Sequence, residues 1–249
     1  MLSHIQIVLV GITHPGNIGA AARAMKTMGL SQLRLVQPKY FPSAEATARA
    51  SGADDLLVNA VVFDNFEDSL QDCHLILGAS ARQRTIAWPM LTPRAAAEKA
   101  LELPAKVALV FGREHSGLTN EELDHCHYLV QIPTHPTFRS LNIASAVQIL
   151  AYELNIQSEA LKAKNDEHSL IKNNPSLPQP ASALAMAQFY QHFKQTLIDI
   201  EFLDPQNPRQ LMRHLHRLFN HVQLTDSEIN ILRGILTAAQ SQRQKITDS

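Results

Sequence analysis

Three polar loops carry the side chains of this sequence that could bind an anion or act as catalytic groups. The first spans residues 11–23, where glycines let the backbone approach a partner and the following helix offers free N–H groups at its N-terminus. The second places Glu114 between Gly112 and Gly117, and the third is a proline-stiffened loop that reaches Ser140. Ligands of open α/β sheets bind at the carboxyl ends of the strands. The loops that follow strands are therefore the candidates for a binding or catalytic site.

The same loops also have structural interpretations. Three apolar residues share one face of the helix predicted after the first loop, namely Ala21, Met25 and Met28. Arg23 points to the opposite side, so a solvated helix arginine is the simplest interpretation. Ser140 is well placed as a helix N-cap, and an acid such as Glu114 is common in turns. Spacing alone therefore leaves both interpretations open.

Strand-like apolar runs alternate with helical segments along the first part of the chain. The runs are residues 5–10, 33–36, 60–63, 74–77, 107–111 and 128–132. Residues 21–28 are helical in pattern, and Gly29 supplies the C-cap. A long helix follows over 142–156, with four residues at core spacing, Ile143, Val147, Leu150 and Leu154. The alternation predicts an α/β fold with a mostly parallel, helix-covered sheet.

The remainder of the chain predicts a small all-helical domain behind a linker. Polar residues and prolines dominate from Gln157 to about Ala181, with few apolar residues to bury. Beyond them three helices are predicted, over 183–200, 208–222 and 226–242. A capping box of Thr225 and Glu228 opens the last helix. The predicted domains are a sheet domain at 1–160, a linker at 161–181 and a helical domain at 182–249.

Composition indicates an ordinary cytosolic protein. The sequence is 45% hydrophobic and shows neither a leader pattern nor a run near the ~18 apolar residues that cross a bilayer. We expect a cytoplasmic location and no membrane partner. Cys73 and Cys126 each precede a predicted strand and should be reduced and buried. The formal net charge of −1 hides basic clusters within residues 1–50 and 209–217 that could bind phosphates.

Several common signatures are missing from the sequence. No G-x-G-x-x-G follows the first strand, and neither G-x-x-x-x-G-K-[ST] nor G-x-S-x-G occurs. The sequence therefore lacks the key motifs of nicotinamide dehydrogenases, P-loop NTPases and serine hydrolases. The run of His125, Cys126 and His127 does not predict a metal site, because consecutive residues cannot readily aim three ligands at one ion. We expect no metal.

Taken together and in this order, the three loops resemble the three motifs of the SPOUT methyltransferases. The matching residues are Asn17, Gly19 and Arg23; then Phe111, Gly112, Glu114, Gly117 and Leu118; then Ile132, Pro133, Ser140, Leu141 and Asn142. The likeness covers residues 1 to about 156. The segments ARAMKTMG, GASARQRTIAWPM and FGREHSGLTNEEL, joined to a helical tail, resemble the bacterial tRNA (cytidine/uridine-2′-O-)-methyltransferases that act on nucleotide 32 of the anticodon loop.

The resemblance implies a sheet whose C-terminal part is threaded into a trefoil knot, a bound S-adenosylmethionine and a homodimer paired through the knot. Knots are rare in protein folds, and nothing in the composition of the sequence indicates one. The knot is therefore expected from the resemblance alone. Carried over to this chain, eight residues would contact the cofactor: Ala79, Ser80, Ala81, Gly112, Ile132, Arg139, Ser140 and Leu141. Many of these contacts would be made by main-chain atoms.

Methyl transfer to a ribose 2′-oxygen needs a collinear approach and the removal of one proton, and positioning can supply much of the rate. The resemblance makes Arg23 the catalytic arginine. A guanidinium with a pKa above ~12 is a poor base, so we expect Arg23 to bind the neighbouring phosphate and orient the hydroxyl. Ser140 and Asn142 would position the ribose, and Glu114 would hold either the loop or Arg23. The residues expected to contact tRNA are Asn17, Arg23, Arg84, Arg209, Arg213 and Arg217.

The last three arginines of this set recur every four residues and share one face of a predicted tail helix. Three leucines can face the small core of the tail, namely Leu211, Leu215 and Leu218. The arginine stripe is interpreted as an RNA-docking face, and a merely solvated face is the alternative. For Arg84, the alternative to an RNA contact is a surface ion pair.

Other functions stay open at this point. The same fold could methylate a ribosomal RNA ribose or a base nitrogen, although Arg23 favours ribose chemistry. A catalytically silent RNA-binding module would not bind the cofactor, and the intact Arg23, Gly112 and Ser140 argue against it. A nucleotide-binding metabolic enzyme would show no dependence on RNA. A cofactor titration and an RNA methylation assay separate these classes.

Overall fold

The computed structural model describes residues 2–80, 88–167, 179–206 and 210–247. At its centre lies a parallel sheet with seven strands in these ranges. The strands are β1 (Ile5–Val10), β2 (Gln32–Val36), β3 (Val61–Phe63), β4 (Leu75–Ala79), β5 (Met90–Leu91), β6 (Val107–Phe111) and β7 (Tyr128–Val130). Their order is β3-β2-β1-β6-β4-β7-β5. The predicted parallel α/β sheet is confirmed. The prediction lacks β5, because a two-residue strand shows no periodicity.

Helices cover both faces of this sheet and form the tail. They are α1 (Pro15–Thr27), α2 (Ala44–Ala50), α3 (Asp54–Val58), α4 (Pro93–Glu102), α5 (Asn120–Asp124), α6 (Ile143–Glu167), α7 (Ala183–Asp199), α8 (Leu211–Val222) and α9 (Asp226–Thr247). One face of the sheet packs against α1, α4 and α6. The other face packs against α5 and a short 3-10 helix at Asp68–Leu70.

The two helical layers explain the unbroken apolar run of β1. Alternate residues of a strand point to opposite faces of the sheet. Ile5, Ile7 and Leu9 belong to the core under α1 and α6, whereas Val8 and Val10 belong to the core under α5. A strand that is covered on both sides needs apolar residues at most positions, and the period-two alternation of a half-exposed strand is lost.

The first helix carries Arg23 on its solvent side. It begins at Pro15, earlier than predicted, because the fixed φ of proline suits the first helical position. It ends as predicted, with Gly29 at φ +77°. There the N–H of Leu30 donates to the carbonyl of Met25 at 3.0 Å. Met25 is fully buried and Arg23 is exposed, so the predicted orientation of this helix is confirmed.

The helix α6 is longer than predicted. Val147 and Leu150 are buried at the expected spacing, but the helix continues to Glu167 instead of ending near Ile156. Its last part is polar and yet rich in alanine, leucine, lysine and glutamate, which favour helix even without a core to face. The first residues of the predicted linker are therefore helical. Residues 168–178 lie outside the described ranges.

The tail helices enclose a small core of their own. It is built around the fully buried Phe189 together with Ala181, Met186, Leu224 and Ile229. The predicted capping box is confirmed, because the N–H of Thr225 donates to the Glu228 carboxylate at 2.7 Å and the N–H of Glu228 donates to Thr225 Oγ1 at 3.4 Å. The prediction that Leu218 faces this core is wrong. Leu218 is 55% exposed, and its neighbour Phe219 packs against the core instead.

Cysteines and histidines of the sheet domain occupy ordinary structural positions. Cys73 and Cys126 are free and fully buried, as predicted. Cys126 Sγ lies 3.6 Å from the carbonyl of Glu122, whereas His125 pairs with Glu67 at 3.5 Å. In the part of the chain that the structure describes, no helix is long and apolar enough to cross a membrane. The trefoil knot stays a prediction, because the loop at residues 81–87 lies outside that part.

A buried histidine should make stability depend on pH. His127 accepts a hydrogen bond from the N–H of Ile76 through Nδ1 at 3.0 Å, and burial lowers its pKa from 6.5 to about 4. Burial also lowers the pKa of His216 to about 4. Protons then bind preferentially to the unfolded chain, so the stability of the fold is complete above pH 6.5 and falls as the pH falls towards 4.

We expect His127→Asn to weaken this pH dependence, because the amide oxygen can accept the same N–H without titrating. The free energy of unfolding, measured by urea denaturation at pH 7, 6 and 5, should fall less in the variant than in the wild type. The slope that remains is assigned to His216 and, close to pH 5, to Glu67 and Glu114, whose pKa values are lowered to about 2 in the fold. An identical pH dependence in both proteins would contradict the role of His127.

Candidate active site

A cleft of about 790 Å³ lies at the carboxyl edge of the sheet. Its walls are formed by the ends of β4 and β7, by the loop after β6 and by the residues that lead into α6. The second and third loops singled out in the sequence line it directly. The first loop is hydrogen-bonded to its wall through Glu114. Parallel strands that end at one edge thus bring distant segments together.

Most of the residues predicted to contact a cofactor line this cleft. They are Ala79, Ser80, Gly112, Ile132, Arg139, Ser140 and Leu141. Ala81 lies outside the described residues. Among the residues predicted to be catalytic, Glu114 and Asn142 also line the cleft, in addition to Ser140. Arg23 does not, since it is exposed on α1 and is absent from the cleft wall.

Closely packed backbone forms the wall beside Gly112. The main chains of Arg113 and Gly117 exchange two hydrogen bonds, at 3.2 and 2.9 Å, and Gly117 has φ +69°. A Cβ atom at position 112 would collide with the backbone of Gly117 and Leu118. Glycine at 112 is therefore required by the close approach of two main chains, and the wall presents peptide groups to the cleft.

Arg113 braces this loop and is absent from the predicted site residues. Its Nη1 atom donates to both carboxylate oxygens of Glu122 at 3.0 Å. Glu122 also closes the predicted capping box with Thr119, which is confirmed. The Arg113 side chain crosses Gly11, where an added Cβ atom would lie 2.8 Å from Nε. A long-range packing contact of this kind gives no signal in local spacing.

Glu114 holds the first loop against the cleft. Its carboxylate accepts hydrogen bonds from the N–H groups of Thr13 and His14, from Thr13 Oγ1 at 3.1 Å and from Asn17 Nδ2 at 3.0 Å. Partial burial raises the pKa of Glu114, but the N–H of Glu114 itself and these donors outweigh burial and lower the pKa to about 2. The group is a carboxylate at neutral pH. Of the two predicted roles, the structure shows contact with the loop and not with Arg23.

Asn17 links the first loop to the third. Its Oδ1 atom accepts a hydrogen bond from Asn142 Nδ2 at 3.0 Å, while its Nδ2 atom donates to Glu114. The side chain of Asn142 also accepts the N–H of Ala144 at 2.9 Å. Asn142 therefore caps α6, and the interpretation of Ser140 as the N-cap is wrong. Ser140 is instead exposed at the rim of the cleft.

The arginine stripe of the tail has a different arrangement from the predicted one. Arg213 Nε donates to both carboxylate oxygens of Asp124 at 3.0 Å, and this ion pair is mostly buried between α8 and α5. Asn220 adds a hydrogen bond to the Asp124 carbonyl. Arg213 thus fastens the tail to the sheet domain rather than facing solvent. Arg217 is half-buried on α8. Arg84 and Arg209 lie outside the described residues.

In the described ranges, no group of three or more His, Cys, Asp or Glu side chains is arranged to hold a metal ion. The cleft instead offers main-chain groups, hydroxyls and apolar surface, which suit an organic ligand. Its position at the carboxyl edge of a parallel sheet is that of a nucleotide-derived ligand site in the α/β class.

Comparison with known proteins defines the class. Residues 4–152 match the SpoU rRNA Methylase family, and residues 184–248 match the C-terminal domain of the tRNA methyltransferase TrmJ. The chain belongs to the SpoU methylase family, and the resemblance to SPOUT methyltransferases is confirmed.

Relatives align with nearly the whole chain. The tRNA (cytidine/uridine/adenosine-2′-O-)-methyltransferase TrmJ of Pseudomonas aeruginosa is 50% identical over 96% of this chain and 95% of its own length. The tRNA (cytidine/uridine-2′-O-)-methyltransferase TrmJ of Pectobacterium atrosepticum is 47% identical over 96% and 98%. The crystal structure of TrmJ from Z. mobilis ZM4 is 31% identical and superposes with a TM-score of 0.80 over 94% and 97% of the two chains.

Proposed function

We propose that this protein transfers a methyl group from S-adenosylmethionine to the ribose 2′-oxygen of cytidine or uridine at nucleotide 32 of tRNA, in the cytoplasm. The observation that carries the proposal is the hydrogen-bonded chain from Glu114 through Asn17 to Asn142, which joins three loops around one cleft. Relatives that are named as tRNA 2′-O-methyltransferases align over nearly the full length and support the same substrate class.

The cleft fits S-adenosylmethionine by size and by chemistry. Its volume of about 790 Å³ lies within the range of roughly 300–1,000 Å³ for small-ligand sites. Peptide groups beside Gly112 and the Ser80 main chain can hold the adenine and ribose, and Ile132 supplies apolar surface. S-adenosylmethionine supplies an electrophilic methyl group on a sulfonium centre. The residues of the chain bind it and place the ribose.

The geometry separates the polar residues of the cleft into two roles. Asn142 is held in one orientation by two hydrogen bonds, and Glu114 already accepts hydrogen bonds from Thr13, His14 and Asn17. A carboxylate with a pKa of about 2 is a weak base. We therefore assign Glu114 to holding the first loop and not to accepting the proton of the ribose 2′-hydroxyl. Ser140, with an exposed hydroxyl at the rim, is the group that we assign to the ribose.

We also propose that the protein acts as a homodimer. Arg23 is exposed and outside the cleft of its own chain, so it can orient the reacting hydroxyl only when RNA or a second copy brings the two together. The neighbouring α6 exposes apolar side chains, with Tyr152 at 50% and Ile156 at 41%. Light scattering at micromolar concentration should give the mass of a dimer. A fully active monomer would refute this proposal.

Mapping of 2′-O-methyl groups by mass spectrometry tests the proposed reaction. In tRNA from cells that lack the gene, the methyl group at nucleotide 32 should be absent, and a plasmid copy should restore it. The purified protein should methylate transcripts with C or U at this position. An A32 transcript belongs in the set, because one relative is also named for adenosine. Methylation at another RNA site alone would overturn the assignment of nucleotide 32.

The helical tail is proposed to dock tRNA through Arg209 and Arg217 of the predicted arginine stripe. Replacing Arg209 and Arg217 with glutamine should weaken tRNA binding several-fold, and each lost phosphate contact should reduce the salt slope by about 0.9. Arg213 is left in place, because its loss would break the ion pair with Asp124. Fluorescence anisotropy across a salt series measures both effects. Lys162→Gln, a charge loss on the sheet domain in an exposed ion pair, should change neither.

A further inference from the structure

We propose that a second groove, beside the cofactor cleft, binds an unpaired RNA base close to the target nucleotide. Tyr40 is the surface on which the base stacks, and Lys39 contacts the adjoining phosphate. The inference rests on the proposed function, since it takes RNA to be the substrate. It adds a binding site outside the cofactor cleft, and the first motif loop forms one of its walls.

The groove lies between the loop after β1 and the loop after β2. It has a volume of about 830 Å³, and its walls include Thr13, His14, Lys39 and Tyr40. The N–H groups of Thr13 and His14 donate to the carboxylate of Glu114, which lines the cleft. The groove and the cleft therefore share one wall. A polynucleotide that enters the cleft with one ribose has its neighbouring nucleotides at this groove.

Tyr40 is an aromatic side chain that lies outside the hydrophobic core. It is 56% exposed, although its neighbour Phe41 packs against the main hydrophobic core. On the other side, the N–H of Lys39 donates to the carbonyl of Ile12 at 3.0 Å. The backbone is thus held on both sides of Tyr40, and the ring is presented to solvent from a fixed support. A ring held in this way loses little entropy when a base stacks on it.

Charges around the ring suit a nucleotide. Lys39 Nζ lies over one face of the Tyr40 ring, 5.2 Å from its centroid, so a base that stacks on the other face would have its phosphate within reach of an ammonium group. The acid at the opposite side, Glu45, lies against α1, where a Cβ atom on Gly16 would be 2.7 Å from Oε1. The phosphate is therefore expected on the Lys39 side of the groove.

Stacking on an aromatic face is tolerant of sequence, because every base has a π-face. The groove is therefore expected to set which ribose of a single-stranded loop enters the cleft, rather than to read a base. Loops whose bases are unstacked from a helix are the RNA elements that such surfaces recognise. An anticodon loop offers these bases on both sides of a target ribose.

The test compares four full-length variants with the wild type, using a tRNA transcript and S-adenosylmethionine. Tyr40→Ala should raise the KM for tRNA about tenfold and leave the Kd for S-adenosylmethionine unchanged. Tyr40→Phe keeps the stacking face and should restore the wild-type KM. Lys39→Gln should weaken tRNA binding and reduce its salt slope by about 0.7. Lys162→Gln, a matched charge loss near the end of α6, should behave as the wild type.

The outcomes separate the groove from the proposed function. A wild type that methylates tRNA, together with a folded Tyr40→Ala variant whose KM for tRNA is unchanged, overturns the groove alone. Weaker binding of S-adenosylmethionine by Tyr40→Ala would also overturn it, because the residue would then belong to the cofactor cleft. A wild type that binds S-adenosylmethionine but methylates no tRNA overturns the proposed function and the groove with it.

Discussion

Replacement of Gly112 by alanine should weaken the binding of S-adenosylmethionine by up to about 100-fold. The added Cβ atom would collide with the backbone of Gly117 and Leu118, which the hydrogen bonds between Arg113 and Gly117 hold in place. Overpacking of this kind costs about 1–3 kcal/mol, and its upper end corresponds to a loss of about 100-fold in affinity. Isothermal titration calorimetry measures the loss, and the melting temperature shows whether the chain still folds.

The matched control for this substitution is Gly234→Ala. Gly234 lies within α9, and a Cβ atom there would meet no atom within 4 Å. Alanine is the better helix former, so this variant should bind the cofactor normally and be slightly more stable. If Gly112→Ala bound S-adenosylmethionine within threefold of the wild type, the cleft beside Gly112 would not be the cofactor site.

Arg23→Ala should lower the rate of methyl transfer about 100-fold or more while the fold and the affinity for S-adenosylmethionine stay normal. Arg23 is exposed and lies outside the cleft, so its removal disturbs neither the core nor the cofactor wall. A side chain that orients the reacting group can contribute this much to the rate. Single-turnover methylation of a tRNA transcript at saturating cofactor measures the chemical step.

Two further variants sharpen this prediction. Arg23→Lys keeps the charge but loses the planar pair of donors, so it should recover only part of the rate if the arginine binds a phosphate at two points. Lys162→Ala removes an exposed helix cation of the sheet domain and should leave the rate unchanged. Near-normal turnover in Arg23→Ala would exclude Arg23 from the mechanism.

Local sequence signals predicted the elements that depend on neighbouring residues. The end of α1 at Gly29 and both capping boxes appear where the spacing indicates them, because each is formed within a few residues of chain. The orientation of Arg23 follows from the helical period alone. Where local chemistry was ambiguous the prediction failed, as at Ser140, because Asn142 two positions later can accept the same helix N–H groups.

The contacts that build the site depend on the order of the strands. Asn17 meets Glu114 across 97 positions of sequence and Asn142 across 125, because parallel strands end at one edge of the sheet. The motifs indicated that these residues matter, but they did not indicate that Glu114 would hold the first loop rather than Arg23. Only the packed loops decide which donors reach a carboxylate.

The helical tail also combines local features that the sequence predicts with a long-range contact that it does not. Its helices and its basic stripe follow from the sequence by itself, since helical periodicity and capping are local properties. The sequence does not determine that Arg213 faces Asp124, 89 positions away, instead of solvent. That choice belongs to the tertiary structure, because a charged side chain is withdrawn from water only where another element brings an opposite charge and a hydrogen-bond acceptor to meet it.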